Sequence, residues 1–477
     1  MKKWLAAFAV LLGMLVIRNW FLFSAPLYEL GDTGANSIIV GQAKHFDLLV
    51  GNYSRQGFNH PGPAYFYLQA FGEWLFHDTL KIVPTPWNGQ LFTLYALNAF
   101  MFATVVTIIG GRRGPWVLLA LIALIALQPQ IINNAWMPFL YVPTFMLFLV
   151  ACASVASGRP TYLWAVALAG GFLAHGHAVF LMFVPVVAGV AAFLFIRGRG
   201  FRWREWLPAL GIVAVFLFPM VLNTVLHWPG EFGKYVGYGS SSRAGGNPIL
   251  HAVGYVAWYW WPTKSVPVAL MGVLPVAALI YGATRVKDPF VRRGLWLSAV
   301  VTGLFVFYAY AGIDYLGDPY MGFFYWAVPL FFAAAVTIGA VDRFRGPGWA
   351  VQWAPLVLVA VVMAVVPGFR TITNDNDPAV PATLAALESR AAGRPIVVEI
   401  GGSDIGPELP GLAKWAQREG IRMCVLDPHW QFITTSQFIC TDADVVQGFR
   451  VIRVKRVPGQ APIGREIASI GHSAFVV

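Results

Sequence analysis

The stretch after the first apolar run carries two carboxylates that could do acid–base chemistry. Residues 27–34 read Leu-Tyr-Glu-Leu-Gly-Asp-Thr-Gly, so that Glu29 and Asp32 are three residues apart. Gly31 and Gly34 flank Asp32 and leave space around its side chain. A carboxylate in an open position can take a proton from a substrate hydroxyl. We therefore predict Asp32 as a general base, whereas Glu29 fits either the polar end of a helix or a contact with a substrate.

Several basic side chains could neutralise a phosphate, with arginine making bidentate contacts and lysine acting as a point charge. His175 and His177 flank a turn between two apolar segments, where histidine is costly without a purpose. Two histidines separated by one residue could also bind a metal, but no further metal ligands cluster with them in the sequence. Lys264 follows an aromatic run and also fits snorkelling to lipid headgroups. Arg243 lies in a glycine-rich loop that either closes over a substrate or is simply mobile. The basic candidates for contact with a charged ligand are Arg55, Lys44, Arg243, Lys264, His175 and His177.

Polar and aromatic residues follow in the same early stretch. Residues 58–67 read Phe-Asn-His-Pro-Gly-Pro-Ala-Tyr-Phe-Tyr, which predicts a helix along a membrane interface after the prolines. Asn59 and His60 either cap that helix or contact substrate. A later turn carries Asp314 and Asp318, of which Asp318 also fits the cap of a helix.

The composition indicates the scaffold that must position these residues. Of 477 residues, 58% are hydrophobic and 12% are charged, and the mean hydropathy is +0.63. A soluble domain averages about a quarter charged residues, so most of this surface does not face water. The first apolar run lacks a small-residue cleavage site, which predicts an uncleaved first helix. We predict about eleven membrane-spanning helices, near residues 4–23, 90–110, 116–132, 138–156, 161–175, 178–196, 207–226, 266–284, 294–312, 322–341 and 349–367.

The basic residues set the expected orientation. With the N-terminus inside, the basic segments all fall on one side, as the positive-inside rule requires. The formal net charge of +11 then reflects topology rather than binding to nucleic acid. We predict a multi-pass protein of a bacterial cytoplasmic membrane, with its active site and tail on the outer side. The basic segments are Lys2-Lys3, Arg112-Arg113, Arg159, 197–204, 285–293 and 343–345.

A soluble tail at residues 368–477 is expected to follow a membrane domain at residues 1–367. Its pattern predicts a small α/β domain behind a linker at 374–378. Cys424 and Cys440 both lie in the tail, where an oxidising compartment favours a disulfide, although two separate buried thiols also fit. The expected strands are at 394–400, 421–426 and 449–454, and the expected helix is at 409–419. The predicted fold class is therefore a polytopic α-helical membrane protein with a small extracytoplasmic α/β domain.

The early carboxylate and the Asn-His-Pro-Gly-Pro-Ala-Tyr segment together resemble the GT-C membrane glycosyltransferases. These include the protein mannosyltransferases, the lipid A aminoarabinose transferases and the mycobacterial arabinofuranosyltransferases. Members share an acidic residue in the first outer loop, interfacial helices and often a His-Pro-Pro sequence, where this chain has His60-Pro61-Gly62-Pro63. The resemblance implies a sugar carried on polyprenyl phosphate as the donor. It also implies cations that bind the donor phosphate, for which the candidates are Arg55, Lys44, Arg243, Lys264, His175 and His177. The candidates for contact with sugar or acceptor are Glu29, Asn59, His60, Tyr65, Asp314 and Asp318, the last two at the rim of the pocket.

Together these features predict an inverting glycosyltransferase that acts on a glycan, lipid or protein hydroxyl, with Asp32 as the base. A lipid-linked sugar transporter or flippase would favour internal repeats and broken helices at mid-membrane. A polysaccharide polymerase or ligase usually has its richest outer loop late in the chain, whereas here the first loop is the richest. We expect no cofactor besides the lipid-linked donor, with a divalent metal as the alternative. The expected partners are this donor, its acceptor and membrane lipids.

Overall fold

The computed structural model describes residues 2–241, 246–260, 270–343, 348–371, 376–456 and 464–477. Packing divides the chain into two compact units. The first comprises Met1–Asn19 and Leu94–Ile372, and the second comprises Trp20–Thr93 and Thr373–Val477. Each unit therefore joins segments that are far apart in sequence. The predicted boundary at residue 367 separates a membrane domain from a soluble tail. It concerns the location of these segments relative to a membrane, and it stays a prediction.

The first unit is helical. Eleven helices in the described ranges coincide with the eleven predicted spans, with ends that differ by several residues, whereas Ile249–Trp258 lies in a predicted loop. Six helices of the described chain are long and apolar enough to cross a membrane, namely Pro86–Ile109, Met137–Ala156, Phe180–Arg199, Trp203–Leu226, Pro289–Ala311 and Pro319–Arg343. The remaining helices of this unit are Lys2–Arg18, Arg113–Ile125, Gln130–Asn133, Leu163–Gly176, Gly230–Ser241, Ile249–Trp258, Val273–Arg285 and Gly348–Val365. The chain is accordingly a polytopic helical membrane protein.

The helix Met137–Ala156 lies at the centre of this unit, because its most apolar 18-residue segment is entirely buried. Its Phe145 ring packs against Phe180, Phe183 and Phe324, with ring centroids 5.2 to 6.3 Å apart. Such aromatic contacts add to the stabilisation that comes from burying apolar area.

Four of the predicted basic segments meet at one end of the first unit. The Lys3 ammonium donates to the carbonyl of Gly111 (2.7 Å). Arg113 forms ion pairs with Asp288 (2.9 Å) and Asp342 (2.6 Å), which lie in or beside the segments 285–293 and 343–345. These loops lie at the same end of the first unit, which agrees with the prediction that the basic segments fall on one side.

The second unit contains a mixed sheet and several helices. In the described residues the sheet has five strands in the order β2-β1-β3-β5-β4. β1 pairs in parallel with β2 and β3, whereas β5 pairs antiparallel with β3 and β4. The strands are β1 (Ile396–Gly401), β2 (Met423–Val425), β3 (Phe449–Lys455), β4 (Glu466–Ile470) and β5 (Ser473–Val476). The helices are Gly31–Lys44, Ala64–Gly72, Glu73–Thr79, Val380–Ala391, Glu408–Arg418, Gln431–Thr434 and Asp442–Gln447.

The structure confirms the α/β tail and adds further strands and helices to it. The three predicted strands and the predicted helix correspond to β1, β2, β3 and Glu408–Arg418. The hairpin of β4 and β5 and the helix Val380–Ala391 complete the domain. The core of this domain also contains Leu30, from the first loop, which is 7% exposed and packs with tail residues. The first loop and the tail thus share one hydrophobic core.

Candidate functional site

Asp32 lies in the first turn of the helix Gly31–Lys44, which we call the Asp32 helix. The helix begins at Gly31, whose φ of 55° is in the left-handed region that glycine adopts readily. The Gly31 N–H donates to the carbonyl of Pro407 in the tail (2.5 Å). A negatively charged side chain in the first turn interacts favourably with the positive end of the helix dipole. Asp32 occupies such a position.

Tyr53 holds the Asp32 carboxylate. Its hydroxyl donates a hydrogen bond of 2.5 Å to Oδ1 of Asp32, and both side chains are partly exposed. Hydrogen bonds to a charged acceptor are shorter and stronger than neutral ones, so this contact fixes the carboxylate orientation. Sequence reasoning did not single out Tyr53. Twenty-one residues separate it from Asp32, and no periodic pattern links the two.

A short hairpin brings the predicted residues Asn59 and His60 beside Tyr53. Tyr53 and Asn59 form an antiparallel bridge, and the His60 N–H donates to the carbonyl of Asn52 (2.7 Å). His60 is 8% exposed. Arg55 lies exposed at the hairpin tip, two residues from Tyr53. Asp32, Asn59, His60 and Arg55 therefore belong to one neighbourhood.

Tyr65 also lies close in sequence to this hairpin. It is 1% exposed in the helix Ala64–Gly72, which begins directly after Pro63. The short helix after the prolines thus forms where the sequence predicted it.

Glu29 is fully buried and engaged by the tail. Arg418 donates to Oε1 of Glu29 (2.7 Å) and the Trp415 indole donates to Oε2 (3.2 Å). The Arg418 guanidinium also lies 4.5 Å from the Trp415 ring centroid. A buried carboxylate with such partners is compensated in charge and in hydrogen bonding. This geometry suits a structural anchor between the loop and the tail better than a ligand of sugar.

Lys44 ends the Asp32 helix and pairs with two carboxylates. Its ammonium donates to Glu73 (2.9 Å) and to Asp78 (2.6 Å). Burial lowers the pKa of Lys44, but the bonds to Asp78 and Glu73 outweigh it and raise the pKa above its usual value. Burial raises the pKa of Asp78, but the bonds from Lys44 and His77 outweigh it and lower the pKa. The charge of Lys44 is thus balanced within the protein.

The helix Glu408–Arg418, which we call the tail helix, packs closely on the Asp32 helix. A methyl group at Gly34 would lie 2.8 Å from the Cα of Gly411, so the two backbones meet at these glycines. A methyl group at Gly41 would lie 2.5 Å from the Lys414 ammonium, which donates to Gln417 (2.9 Å). Burial, then the charge of Arg418, lower the pKa of Lys414 to about 8. The tail therefore braces the helix that carries Asp32.

The predicted histidines belong to the first unit and have partners there. The His175 Nε2 donates to the carbonyl of Phe216 (2.6 Å), and His177 Nδ1 accepts from the Val179 N–H (3.2 Å). The bond of His175 links the end of the helix Leu163–Gly176 to the helix Trp203–Leu226, whereas the bond of His177 lies within the turn before the helix Phe180–Arg199.

The later aspartates also lie in the first unit. The Tyr238 hydroxyl donates to Asp314 (2.6 Å), and the Tyr255 hydroxyl donates to the Asp318 carbonyl (2.8 Å). Asp318 precedes the short helix Pro319–Trp326, and its side chain makes no capping bond to that helix within the described residues. Arg243 and Lys264 lie outside the described residues.

Cys424 and Cys440 form a disulfide bond that joins β2 to the segment after the helix Gln431–Thr434. Among the described residues no group of three or more His, Cys, Asp or Glu is arranged to hold a metal ion. The chemistry that this site can offer is thus a carboxylate on a helix N-terminus, oriented by a phenol and bordered by polar and aromatic side chains.

The whole chain is similar to solved membrane protein structures. ArnT from Cupriavidus metallidurans bound to undecaprenyl phosphate has a TM-score of 0.59 at 13% identity, over 100% of this chain and 98% of that chain. The apo state of the same protein gives a TM-score of 0.60 at 13% identity, with the same coverage. The apo oligosaccharyltransferase from Archaeoglobus fulgidus gives 0.47 at 11% identity, over 95% of this chain and 69% of that chain. No family model and no curated protein matches the sequence.

Proposed function

We propose that this chain, whose fold is that of the GT-C membrane glycosyltransferases, transfers a sugar from polyprenyl phosphate to an acceptor hydroxyl. The observation that carries the proposal is the carboxylate of Asp32, held at a helix N-terminus by Tyr53 in the loop after the first helix. The agreement in fold with ArnT along 100% of the chain supports it. An aspartate in this position is suited to proton abstraction.

In the proposed reaction the acceptor oxygen attacks the anomeric carbon from the face opposite the phosphate. A new C–O bond forms as the bond from the anomeric carbon to the phosphate oxygen breaks, so the configuration inverts. The acceptor proton passes to Asp32, and polyprenyl phosphate leaves with the bonding electron pair. Tyr53 keeps the carboxylate aimed at the hydroxyl, since misplacement of a base by about 1 Å can cost a hundredfold in rate.

The phosphate of the donor needs cations as its charge develops. Arg55 is the described candidate best suited to this role, because it is exposed and lies two residues from Tyr53. Lys44 is less suited, because Glu73 and Asp78 already neutralise it. Arg243, Lys264, His175 and His177 remain proposed ligands on the grounds of sequence. Asn59, His60, Tyr65, Asp314 and Asp318 remain proposed contacts of sugar or acceptor.

The proposed setting is a bacterial cytoplasmic membrane, with Asp32 and the tail on the outer side. Nucleotide sugars are not expected there, so a lipid carrier must present the activated sugar. The acceptor would be a glycan, lipid or protein of the cell envelope.

The test is transfer by the purified, membrane-reconstituted chain from a panel of synthetic polyprenyl-phosphate sugars. Wild type should transfer from at least one donor with inversion, and Asp32→Asn and Asp32→Ala should lose at least a hundredfold in kcat. Asp47→Asn is the matched control, because Asp47 is an exposed aspartate of the same loop. Transfer that survives both Asp32 changes would remove Asp32 as the base. If wild type transfers sugar from none of the donors but moves lipid-linked sugars between leaflets, the protein is a transporter and not a glycosyltransferase.

A further inference from the structure

Three aromatic rings of the tail cluster together, and the ring of Tyr53 extends this cluster from Phe432 to the candidate base. The Tyr53 and Phe432 ring centroids are 6.1 Å apart, and Phe432 lies 6.0 Å from both Trp430 and His429. His429 and Trp430 are themselves 5.3 Å apart. We call these four residues the aromatic row. Three of them come from the tail, and the fourth donates the hydrogen bond to Asp32.

We propose that the aromatic row binds the acceptor, and that this acceptor is a carbohydrate whose ring stacks on Phe432 and its neighbours. The inference rests on the proposed function and adds to it the chemical class of the acceptor. It also assigns the tail a direct part in acceptor binding.

The exposure of the row supports a binding role. His429 is exposed, while Phe432, Trp430 and Tyr53 are each partly exposed. One side of Trp430 packs against the core of the tail domain, which anchors the row. Burial of aromatic side chains contributes strongly to stability and to binding. A partly exposed aromatic cluster beside a candidate base is therefore suited to a ligand that covers it.

The segment that carries the row is held in place from several sides. Asp427 Oδ1 accepts from the His429 N–H (2.8 Å), and the Thr434 hydroxyl donates to the carbonyl of Trp430 (3.0 Å). The disulfide between Cys424 and Cys440 closes the segment at its base. A rigid surface loses little conformational entropy when a ligand binds, which favours affinity.

The chemistry of the row selects a sugar ring. A sugar presents C–H groups on its faces and hydroxyls around its rim. The faces can stack on Phe432 and Trp430, while His429 offers a polar group to the rim. A hydroxyl of a ring that reaches along the row to Tyr53 would come close to Asp32, because the Tyr53 hydroxyl lies 2.5 Å from that carboxylate.

The test compares Phe432→Ala and Phe432→Leu with wild type in the transfer reaction. The acceptor KM should rise about five- to tenfold in both variants, with kcat at saturating acceptor and the donor KM within twofold. Phe432→Trp should restore the acceptor KM. Val446→Ala is the control, because Val446 is 84% exposed on the same domain. Phe432→Leu keeps apolar volume at the site, so the comparison survives if the alanine variant folds poorly.

A second measurement needs no donor and no turnover. Saturation-transfer NMR with maltose, cellobiose, α-1,6-mannobiose and α-1,5-arabinobiose should show contact with wild type for at least one sugar. The signal should fall in Phe432→Leu and persist in Val446→Ala. Binding that is equal in all three proteins, or an acceptor KM unchanged by Phe432→Leu, would overturn the inference while leaving transfer intact. A wild type that binds a disaccharide through Phe432 but transfers no sugar would instead separate this site from the proposed function.

Discussion

The Tyr53 hydroxyl lies 2.5 Å from Oδ1 of Asp32 and donates to it, across 21 residues of the first loop. The hairpin holds Tyr53, and the N-terminus of a helix holds Asp32. The carboxylate therefore has one orientation before any substrate arrives, as an efficient base requires.

Removal of this hydroxyl should slow catalysis without unfolding the protein. In Tyr53→Phe we expect kcat to fall about tenfold, because the Asp32 carboxylate loses the hydrogen bond that orients it. The donor KM and the melting temperature should stay near the values of wild type, because both side chains are partly exposed. Tyr67→Phe is the control, because the Tyr67 hydroxyl donates to the carbonyl of Leu48 (2.9 Å) rather than to a carboxylate. Equal kcat in both variants would show that Tyr53 does not position Asp32.

Loss of Arg418 should destabilise the second unit, because Glu29 would keep a buried charge without its partner. We expect Arg418→Met to cost about 3–5 kcal/mol and to lower the melting temperature. The double variant Glu29→Gln with Arg418→Met should recover part of that loss, since no carboxylate remains unpaired. Arg390→Met serves as the control, because Arg390 is exposed. A double variant no more stable than the single one would mean that the ion pair is not the source of the loss.

The glycine contact between the Asp32 helix and the tail helix should not tolerate a side chain. Gly34→Ala and Gly411→Ala each add a methyl group against backbone atoms of the other segment, so the helices must separate. We expect a loss of about 1–3 kcal/mol in stability and a fall in kcat. Gly13→Ala should be neutral or stabilising, because open space surrounds that helical glycine. Alanine at Gly34 with unchanged activity would show that this contact does not brace Asp32.

Lys414 should make stability depend on pH in the alkaline range. Its pKa is about 8 in the folded chain against the usual 10.5, so between these values the unfolded chain binds more protons. Stability should therefore rise as the pH increases from 8 to 10.5, by roughly 3 kcal/mol in total. Lys414→Met should abolish this rise and should raise stability at pH 7. The measurement is the melting temperature of both proteins between pH 7 and pH 10.5. Equal slopes of melting temperature against pH would exclude Lys414 as the cause.

Apolar length and charge position predicted much of the architecture. The predicted spans follow from the roughly 20 apolar residues that cross a bilayer, and the basic residues between them predict which loops lie on the same side. In the tail, β1 is a short apolar run and β3 intersperses apolar with basic residues, and both patterns are typical of strands. The hairpin of β4 and β5 lacks that pattern, because Ala468 and Ser469 interrupt it.

The contacts that define the site were less accessible to sequence reasoning. Asp32 could be singled out as a candidate from its glycine neighbours and its place after the first apolar run, and its role as a base stays a prediction. The partners of Asp32, Glu29 and Lys44 could not, because they depend on distant segments that only tertiary packing brings together. Lys44 is an example, because Glu73 and Asp78 already neutralise its charge. The sequence alone does not show that these two carboxylates lie beside it.

The second unit has a consequence for the order in which the protein matures. Its two parts, Trp20–Thr93 and Thr373–Val477, leave the ribosome separated by about 280 residues, or roughly 15–55 s of synthesis. Until the last part emerges, Leu30 has no core to enter and Glu29 has no Arg418. Asp32 therefore acquires its bracing only after the tail helix Glu408–Arg418 has been synthesised. A chain that stops before this helix would carry the proposed base but not the support that aims it, and we expect such a chain to be inactive.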